Sequence, residues 1–86
     1  MNRDIVWTNQ FKKDYKLAQK RHLDIDLLDN SIRNLTRGEL FPEKNIVFGH
    51  RECHIQPDWL LIYRIEDNVL VLTLARTGSH SDLFNK

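Results

Sequence analysis

The 86-residue sequence contains a single cysteine, Cys53, so it can form no internal disulfide bond. It also lacks any run of about 20 apolar residues, which is the length that a membrane-spanning helix requires. Its first ten residues carry charges where a signal peptide needs an apolar run. These absences predict a soluble cytoplasmic protein that is neither secreted nor bound to a membrane, with Cys53 as a small buried residue.

The sequence also has no internal repeat, no linker and no low-complexity segment. Its length is sufficient for one domain and too small for two, so we predict a single domain over residues 1–86. A domain of this size buries only about 60 to 65% of the surface that its unfolded chain exposes. Its stability is therefore expected to be marginal in the absence of a partner.

Charge is distributed unevenly along the chain, although the formal net charge is only +1. Residues 11–21 hold five Lys or Arg and one Asp, whereas residues 24–29 hold three Asp and no basic residue. A nearly neutral protein can therefore present one basic face. Lys13, Lys16 and Lys20 recur at helical spacing on such a face, and they are either RNA contacts or an ordinary solvated surface.

The first part of the chain predicts a short edge strand followed by a helix. Residues 3–8 read as the strand, with Ile5 and Trp7 on one side, and Thr8 or Asn9 can cap the helix that follows. Its buried stripe is predicted from four residues at helical spacing, namely Phe11, Tyr15, Ala18 and His22.

A second helix is predicted to begin after Asp24 and to end at Arg37 and Gly38, which form a typical stop signal. Its apolar face has the clearest periodicity in the sequence and consists of Ile25, Leu28, Ile32 and Leu35. Because almost nothing joins the two helices, we expect them to form an antiparallel hairpin.

Three strands are predicted after a loop that contains Pro42 and Gly49 and extends over residues 39–50. Residues 51–56 alternate between the two faces of a sheet, with Cys53 and Ile55 on one side. Residues 59–65 and 69–75 are almost continuously apolar, as in strands that are covered on both faces. The tail leaves the sheet at Gly78 and ends in a short turn or helix. The predicted fold is α+β, a small antiparallel sheet packed on a helical hairpin in the order β-α-α-β-β-β.

A register argument brings titratable side chains together at one end of this sheet. If Asp67 and Asn68 form a two-residue turn, Glu66 pairs with Val69 and Asp58 lies opposite Thr77. His80 follows three residues after Thr77, and His54 lies across the turn that precedes Asp58. We therefore expect His54, Asp58 and His80 to converge beside Arg51 and Arg76.

This set of residues could support proton transfer on a phosphodiester. Cleavage of RNA by its own 2′-hydroxyl needs a base, an acid for the leaving 5′-oxygen and a cation near the phosphate. Histidine suits either proton role, and no metal ion is required. Each residue also has a simpler explanation, because a histidine at a strand end and an aspartate after Pro57 are common surface residues. The pattern alone does not name an activity.

The segment from Arg51 to Phe84 resembles the YafQ branch of the RelE family of ribosome-dependent messenger RNA interferases. The specific similarity lies in RECHIQPDWLLIY and RTGSHSDLF, and weaker similarity continues at FKKDYKLAQKRH, so that it covers most of the chain. The resemblance implies a RelE-like fold and a toxin that cleaves messenger RNA in the ribosomal A site without a cofactor. It also implies a cognate antitoxin of the DinJ or RelB kind.

The same resemblance implies roles for individual residues. His80 matches the proton donor, and either His54 or Asp58 matches the base. Arg76 would stabilise the scissile phosphate, and Phe84 would hold a base near the cut. The first helix would lie against ribosomal RNA. The RNA-binding set also includes Arg51, and its possible further members are Glu52 and His50.

One departure from the family pattern leads to an alternative. Family members usually carry a longer segment before the strand that begins at Arg51, and about ten residues of it, with several cations, are absent here. Because phosphate contacts dominate binding to RNA, the shortened loop could leave a weak or inactive module that still binds an antitoxin or the ribosome. A topoisomerase inhibitor of the related ParE type ranks lowest, because that branch generally lacks the histidine matched by His80.

Overall fold

The computed structural model of the chain describes residues 3–38, 46–47, 50–66 and 71–84. These residues form one mixed sheet with helices packed against it, which confirms the predicted α+β class. The elements in chain order are β1 (Asp4–Trp7), α1 (Asn9–Lys20), α2 (Ile25–Thr36), β2 (Ile46–Val47), β3 (His50–Gln56), β4 (Trp59–Glu66), β5 (Val71–Gly78) and α3 (His80–Phe84).

Helix α1 begins at the predicted cap. The hydroxyl oxygen of Thr8 accepts a hydrogen bond from the backbone N–H of Phe11 at 3.1 Å. Phe11 and Ala18 are buried and Tyr15 is partly buried, as predicted. The prediction for His22 was wrong, since the helix ends at Lys20 and the backbone of His22 turns into the left-handed region at φ 59°. This turn takes His22 off the buried stripe and leaves it exposed.

Helix α2 follows its predicted limits closely. Asp24 occupies the N-cap position, although its side chain makes no capping hydrogen bond. Arg37 is the C-cap residue, and Gly38 adopts φ 93°, a conformation that glycine accepts without strain. The predicted apolar face is buried at Leu28, Ile32 and Leu35 and partly buried at Ile25.

The sheet has the strand order β1-β5-β4-β3-β2. The pairs formed by β2 to β5 are antiparallel, as predicted, whereas the edge strand β1 pairs in parallel with β5. A parallel pair is possible here because helices α1 and α2 and strands β2 to β4 lie between β1 and β5 in the chain, which leaves ample length for a crossover. Strand β2 was not predicted, because its two residues lie in a segment for which we predicted a loop.

The predicted register between β4 and β5 was wrong. Glu66 pairs with Val71 and not with Val69, so the connection is longer than two residues. The proposed turn at Asp67 and Asn68 itself lies outside the described residues. A bulge between Ile62 and Tyr63 shifts the register further, so that Thr77 pairs with Leu61 and not with Asp58. The turn residues Asp67 and Asn68 therefore indicated the position of the connection between β4 and β5 but not its length.

The core lies between the helices and one face of the sheet. Phe11, Leu28 and Leu35 meet the buried side chains that β3, β4 and β5 direct to that face, which are Cys53, Trp59, Leu61, Tyr63, Leu72 and Leu74. Trp59, Tyr63 and Cys53 are thus core residues, as predicted. The intervening residues, among them His54, face away from this core. None of the described helices is long and apolar enough to cross a membrane.

Candidate active site

Asp58 and His80 are in direct contact at the end of the sheet. One carboxylate oxygen of Asp58, Oδ1, accepts two hydrogen bonds from His80, one from the backbone N–H at 3.1 Å and one involving Nδ1 at 2.8 Å. Asp58 lies in the turn between β3 and β4, and His80 opens α3 directly after β5. Because β4 and β5 are paired up to Leu60 and Gly78, the sheet brings these two residues together.

This contact determines which nitrogen of His80 carries the proton. The hydrogen bonds from the side chain and backbone of His80 lower the pKa of Asp58 below its ordinary value, so its carboxylate is ionised at neutral pH. An ionised carboxylate can only accept hydrogen bonds, and Nδ1 of His80 must therefore be the donor. The other ring nitrogen, Nε2, takes no part in this contact.

The rings of His54, His80 and Phe84 form a row beside this pair. The ring centroids of His54 and His80 are 6.1 Å apart, and those of His80 and Phe84 are also 6.1 Å apart. His54 pairs with Leu60 in the sheet and is exposed on the side away from the core, whereas Phe84 is 36% exposed at the end of α3. The predicted convergence of His54, Asp58 and His80 is therefore present in the structure.

Arg76 is held by a carboxylate that the sequence analysis did not assign to the site. Its Nε and Nη2 atoms donate to the two oxygens of Asp14 at 3.0 and 3.2 Å, and Asp14 itself is only 8% exposed. The hydrogen bonds to Asp14 raise the pKa of Arg76 above its usual range. The N–H groups on Nη1 take no part in this ion pair, and the side chain remains 37% exposed.

Asp14 also completes the edge of the sheet. Strand β1 pairs with β5 only as far as Leu74, so among the described residues no strand lies beside the next part of β5 on that side. There the backbone N–H of Thr77 donates to Asp14 Oδ2 at 3.2 Å, and Gln10 donates to Oδ1 at 3.1 Å. A buried carboxylate with four donors is well satisfied, and it ties α1 to the strand that carries Arg76.

A second buried contact fixes the position of the turn that holds Asp58. The indole N–H of Trp59 donates to the hydroxyl of Thr77 at 2.9 Å, and that hydroxyl donates to the carbonyl of Leu60 at 2.7 Å. Trp59 and Thr77 are 3% exposed each. Because Trp59 follows Asp58 directly, this contact limits the movement of the carboxylate relative to β5.

Helix α3 is attached to the sheet and to α1 by Asp82. The carboxylate of Asp82 accepts from the backbone N–H of Ser79 at 3.0 Å, and the hydroxyl of Ser79 accepts from the N–H of Asp82 at 3.1 Å. This is a capping box. Arg21 donates to Asp82 Oδ2 at 2.7 Å. This hydrogen bond has the largest effect on the pKa of Asp82, and together with the hydrogen bonds from Ser79 it lowers that pKa to about 2.

The close approach of α3 to β5 favours a glycine at position 78. A Cβ atom on Gly78 would lie 3.0 Å from Cβ of Asp82 and 3.2 Å from its Oδ2 atom. Such contacts are tighter than nine in ten real Cβ contacts, so a side chain here would require Asp82 on α3 to move by a few tenths of an ångström.

The other predicted residues lie around this centre. Arg51 pairs with Tyr63, and Glu52 pairs with Ile62, so both lie on β3 further from α3 than His54 does. His50 begins β3, opposite Val47 of β2. The three lysines predicted to form a stripe are all exposed on α1, namely Lys13, Lys16 and Lys20.

Sequence reasoning missed Asp14, Thr77, Arg21 and Asp82, although two of them left a signal. Asp14 lies three residues after Phe11 and four before Ala18, so helical spacing already places it on the buried stripe. The spacing Ser-x-x-Asp from Ser79 to Asp82 is that of a capping box. Nothing in the sequence indicates that Arg21 reaches Asp82, because 61 residues separate them.

The chain is similar over almost its whole length to a known family of bacterial proteins. Residues 3–85 match the family model of YafQ, a bacterial toxin of type II toxin–antitoxin systems. The chain belongs to the YafQ family. Within this family, a curated relative from Escherichia coli strain B/BL21-DE3, the mRNA interferase toxin YafQ, is 39% identical over 92 residues, which cover 98% of each chain.

Solved structures of YafQ proteins and their relatives have the same fold. The Escherichia coli DinJ–YafQ toxin–antitoxin complex contains a chain that matches with a TM-score of 0.83 and 38% identity, covering 98% of this chain and 99% of that one. A metal-bound toxin from Helicobacter pylori matches with a TM-score of 0.84 and 37% identity, covering 98% and 100%. These matches confirm the RelE-like fold predicted from the sequence.

The bound metal in the name of the Helicobacter structure is a property of that protein. Among the residues that the structure describes, no three His, Cys, Asp or Glu side chains come together around one position. The two histidines nearest the site have ring centroids 6.1 Å apart, and Nδ1 of His80 is engaged by Asp58.

Proposed function

We propose that this member of the YafQ family is a messenger RNA interferase that cleaves RNA on the ribosome by acid–base catalysis. The observation that carries the proposal is the contact between Asp58 and His80, which leaves Nε2 of the ring to exchange a proton. The name of the curated relative, an mRNA interferase, supports a ribonuclease over an inhibitor of topoisomerase.

In the proposed reaction His54 is the general base and His80 is the general acid. The 2′-oxygen of the RNA attacks phosphorus while His54 takes the proton of the 2′-hydroxyl. The bond between phosphorus and the 5′-oxygen breaks, and Nε2 of protonated His80 gives its proton to that oxygen. The products are a 2′,3′-cyclic phosphate and a 5′-hydroxyl. The two ring centroids are 6.1 Å apart, so both imidazoles lie near the same position on the surface.

The structure favours His54 over Asp58 as the base. Oδ1 of Asp58 already accepts two hydrogen bonds from His80, and its lowered pKa makes the carboxylate a weak base. Its contribution is instead to hold the tautomer and orientation of His80 and to stabilise the imidazolium form.

Arg76 is the proposed cation for the phosphate. Asp14 fixes the guanidinium through Nε and Nη2, and the remaining N–H groups on Nη1 can donate to a phosphoryl oxygen. A group that is held in place before substrate binds stabilises developing charge without a cost of reorganisation. Asp14 neutralises part of the charge of Arg76, so the main contribution of Asp14 is to orient the guanidinium.

The remaining predicted residues serve binding in this proposal. Phe84 offers a half-exposed ring on which a nucleobase can stack, at the end of the row formed with His80 and His54. The exposed lysine stripe of α1 contacts ribosomal RNA, and Arg51 contacts the message. The protein acts in the cytoplasm, where translating ribosomes are found.

We also propose a cognate antitoxin for this toxin. The relative in the DinJ–YafQ structure is bound to its antitoxin. The edge strand β1 of this chain carries Ile5, Val6 and Trp7 with 39, 46 and 37% of their surface exposed, so the small domain leaves apolar surface for a partner to cover.

Primer extension on a reporter message tests the proposal. Cells would express the wild type or His80→Ala without antitoxin, and extracted RNA would be mapped. Cuts at in-frame codons with the wild type alone are the expected result. The absence of cuts with both proteins, if both are soluble and folded, would refute the enzyme reading.

One observation favours the second candidate, an attenuated toxin that binds without cutting. The alignment with the curated relative spans 92 positions, whereas this chain has 86 residues, so at least six positions of the relative have no counterpart here. This agrees with the shortened loop expected before Arg51. A wild type that binds antitoxin stably and leaves messages intact would favour this candidate.

A further inference from the structure

Arg21 forms an ion pair that joins α1 to α3 at the edge of the site. It is the C-cap residue of α1, and its Nη1 and Nη2 atoms lie 2.7 and 3.4 Å from the two oxygens of Asp82. Asp82 lies in the first turn of α3, two residues after His80. The ion pair thus connects the end of a stable helix to the element that carries the proposed acid.

Helix α3 depends on contacts with other elements for its position. It has only five residues, and a helix this short is unstable in water without contacts to the rest of the protein. Its capping box ties its first turn to the end of β5, and the hydrogen bonds of His80 tie the same turn to Asp58, but neither contact reaches α1. The close packing on Gly78 allows α3 to approach the sheet, and it leaves the direction of the approach to other contacts.

We infer that Arg21 is a positioning residue that, through Asp82, holds α3 against the end of α1 and thereby fixes the places of His80 and Phe84. The catalytic consequence of this inference rests on the function proposed above. The structural part of the inference, which is that Arg21 attaches α3 to α1, does not depend on the proposed function.

The charges around α3 explain why a cation is needed at this point. Asp82 and Asp58 repel each other, which raises the pKa of Asp58 against the larger effect of His80. Arg21 neutralises Asp82. Without Arg21, the charge of Asp82 would not be neutralised, and its repulsion of Asp58 would favour movement of α3 and His80 away from Asp58.

The chain provides a matched control in Arg37. Arg37 is the C-cap residue of α2, as Arg21 is of α1, and both side chains are exposed. Among the residues that the structure describes, the side chain of Arg37 donates to Asn34, three residues earlier on its own helix. Arg21→Ala and Arg37→Ala therefore remove the same charge from equivalent positions, and only the first removes a contact with α3. Exposed ion pairs contribute little to stability, so both variants should fold.

The first measurement follows the structure without RNA. NMR of labelled protein would record the tautomer of His80 and the exchange rate of the Leu83 amide, which donates to the carbonyl of Ser79 at 3.0 Å. We expect Arg21→Ala to raise that exchange rate several-fold and to mix the tautomers. Arg21→Lys should restore most of the wild-type behaviour, and Arg37→Ala should match the wild type. Wild-type exchange and tautomer in Arg21→Ala would overturn the inference.

The second measurement separates positioning from binding. Single-turnover cleavage of a message on programmed ribosomes would be measured over a range of toxin concentrations. A misplaced acid should lower the maximal rate by about 3- to 30-fold, with the half-saturating concentration within about twofold of the wild type. The reverse pattern would make Arg21 an RNA contact and overturn the inference. If the wild type cleaves nothing, the proposed function fails and the NMR result alone decides the attachment of α3.

A double-mutant cycle tests whether Arg21 acts through Asp82. Asp82→Asn removes the charge but keeps an oxygen that can accept from Ser79. If both residues act through one contact, the double variant should cleave about as slowly as Arg21→Ala alone. If the rate reductions of Arg21→Ala and Asp82→Asn instead multiplied in the double variant, the two residues would act independently. This result would overturn the inference.

Discussion

On the helix-covered face of the sheet, Phe11, Leu35 and Tyr63 have no exposed surface, whereas the side chains of Asp58 and His80 are 73 and 50% exposed at the α3 end. The first region is held by apolar burial and the second by hydrogen bonds and ion pairs. Burial stabilises the fold without specifying the direction of a polar group, while hydrogen bonds do specify direction. Substitutions in the two regions should therefore have opposite consequences for stability and for activity.

The largest loss of stability is expected from Phe11→Ala. Phe11 is fully buried between α1 and the sheet, and removing its ring leaves a cavity that should cost about 3 to 5 kcal/mol in the free energy of unfolding. Urea denaturation of the purified protein would measure the change. Val6→Ala is the control, because Val6 is 46% exposed, and it should cost less than about 0.5 kcal/mol. A cost for Phe11→Ala close to that of the control would refute this account of the core.

Asp14→Asn changes a residue at which the two regions meet. The amide keeps an acceptor for the N–H of Thr77 but loses the ion pair with Arg76. We expect a loss of about 1 to 3 kcal/mol in the free energy of unfolding, because the partially exposed guanidinium loses its buried counter-ion. The rate of RNA cleavage should fall as well, since Arg76 is no longer oriented.

The matched control is Asp26→Asn, which removes an exposed carboxylate from the first turn of α2. It should change neither the stability nor the cleavage rate appreciably. If Asp14→Asn lowered stability without slowing cleavage, Arg76 would not be the cation that contacts the phosphate.

A smaller effect, confined to alkaline pH, is expected at Tyr15. Partial burial and a hydrogen bond to Asp29 at 2.9 Å raise the pKa of Tyr15 to about 12. Because the pKa of Tyr15 is higher in the folded protein than in the unfolded chain, its contribution to the free energy of unfolding is complete below pH 10. This contribution is lost as the pH rises from about 10 to 12. After allowance for partial exposure, about 1 to 2 kcal/mol should be lost in this range.

Unfolding by urea at several pH values between 9 and 12 measures this loss. Tyr15→Phe cannot ionise and should show a shallower fall in stability over that range than the wild type. Identical pH dependence in the two proteins would show that Tyr15 does not link α1 to α2 in the way described.

The helices and the core could be predicted from the sequence because both follow local periodicity. The spacing of Leu28, Ile32 and Leu35 identified α2, and Thr8 identified the start of α1. His22 continues the same spacing past the end of its helix. It was misplaced because periodicity does not show where the backbone turns, and here it turns at His22 itself.

The site was predicted in part because the resemblance to a known family supplied its residues, while the register derived from the sequence was wrong. The actual pairing of Leu60 with Gly78 brings Asp58 and His80 closer than the predicted pairing of Asp58 with Thr77 would have done. Bulges and turn lengths depend on packing between strands, which a single strand does not encode. The supports of the site, such as Asp14 beneath Arg76, are contacts between distant segments and escaped prediction for the same reason.

The central claim is that the exposed contact between Asp58 and His80 serves catalysis and contributes little to stability. Asp58→Asn tests it most directly, because an amide keeps the size of the carboxylate but can hold either tautomer of His80. The urea midpoint and the single-turnover rate of message cleavage would be measured on the same preparation. We predict an unchanged midpoint and a rate at least about 100-fold lower. A variant that keeps the wild-type rate, or one that loses activity only because it unfolds, would contradict the claim.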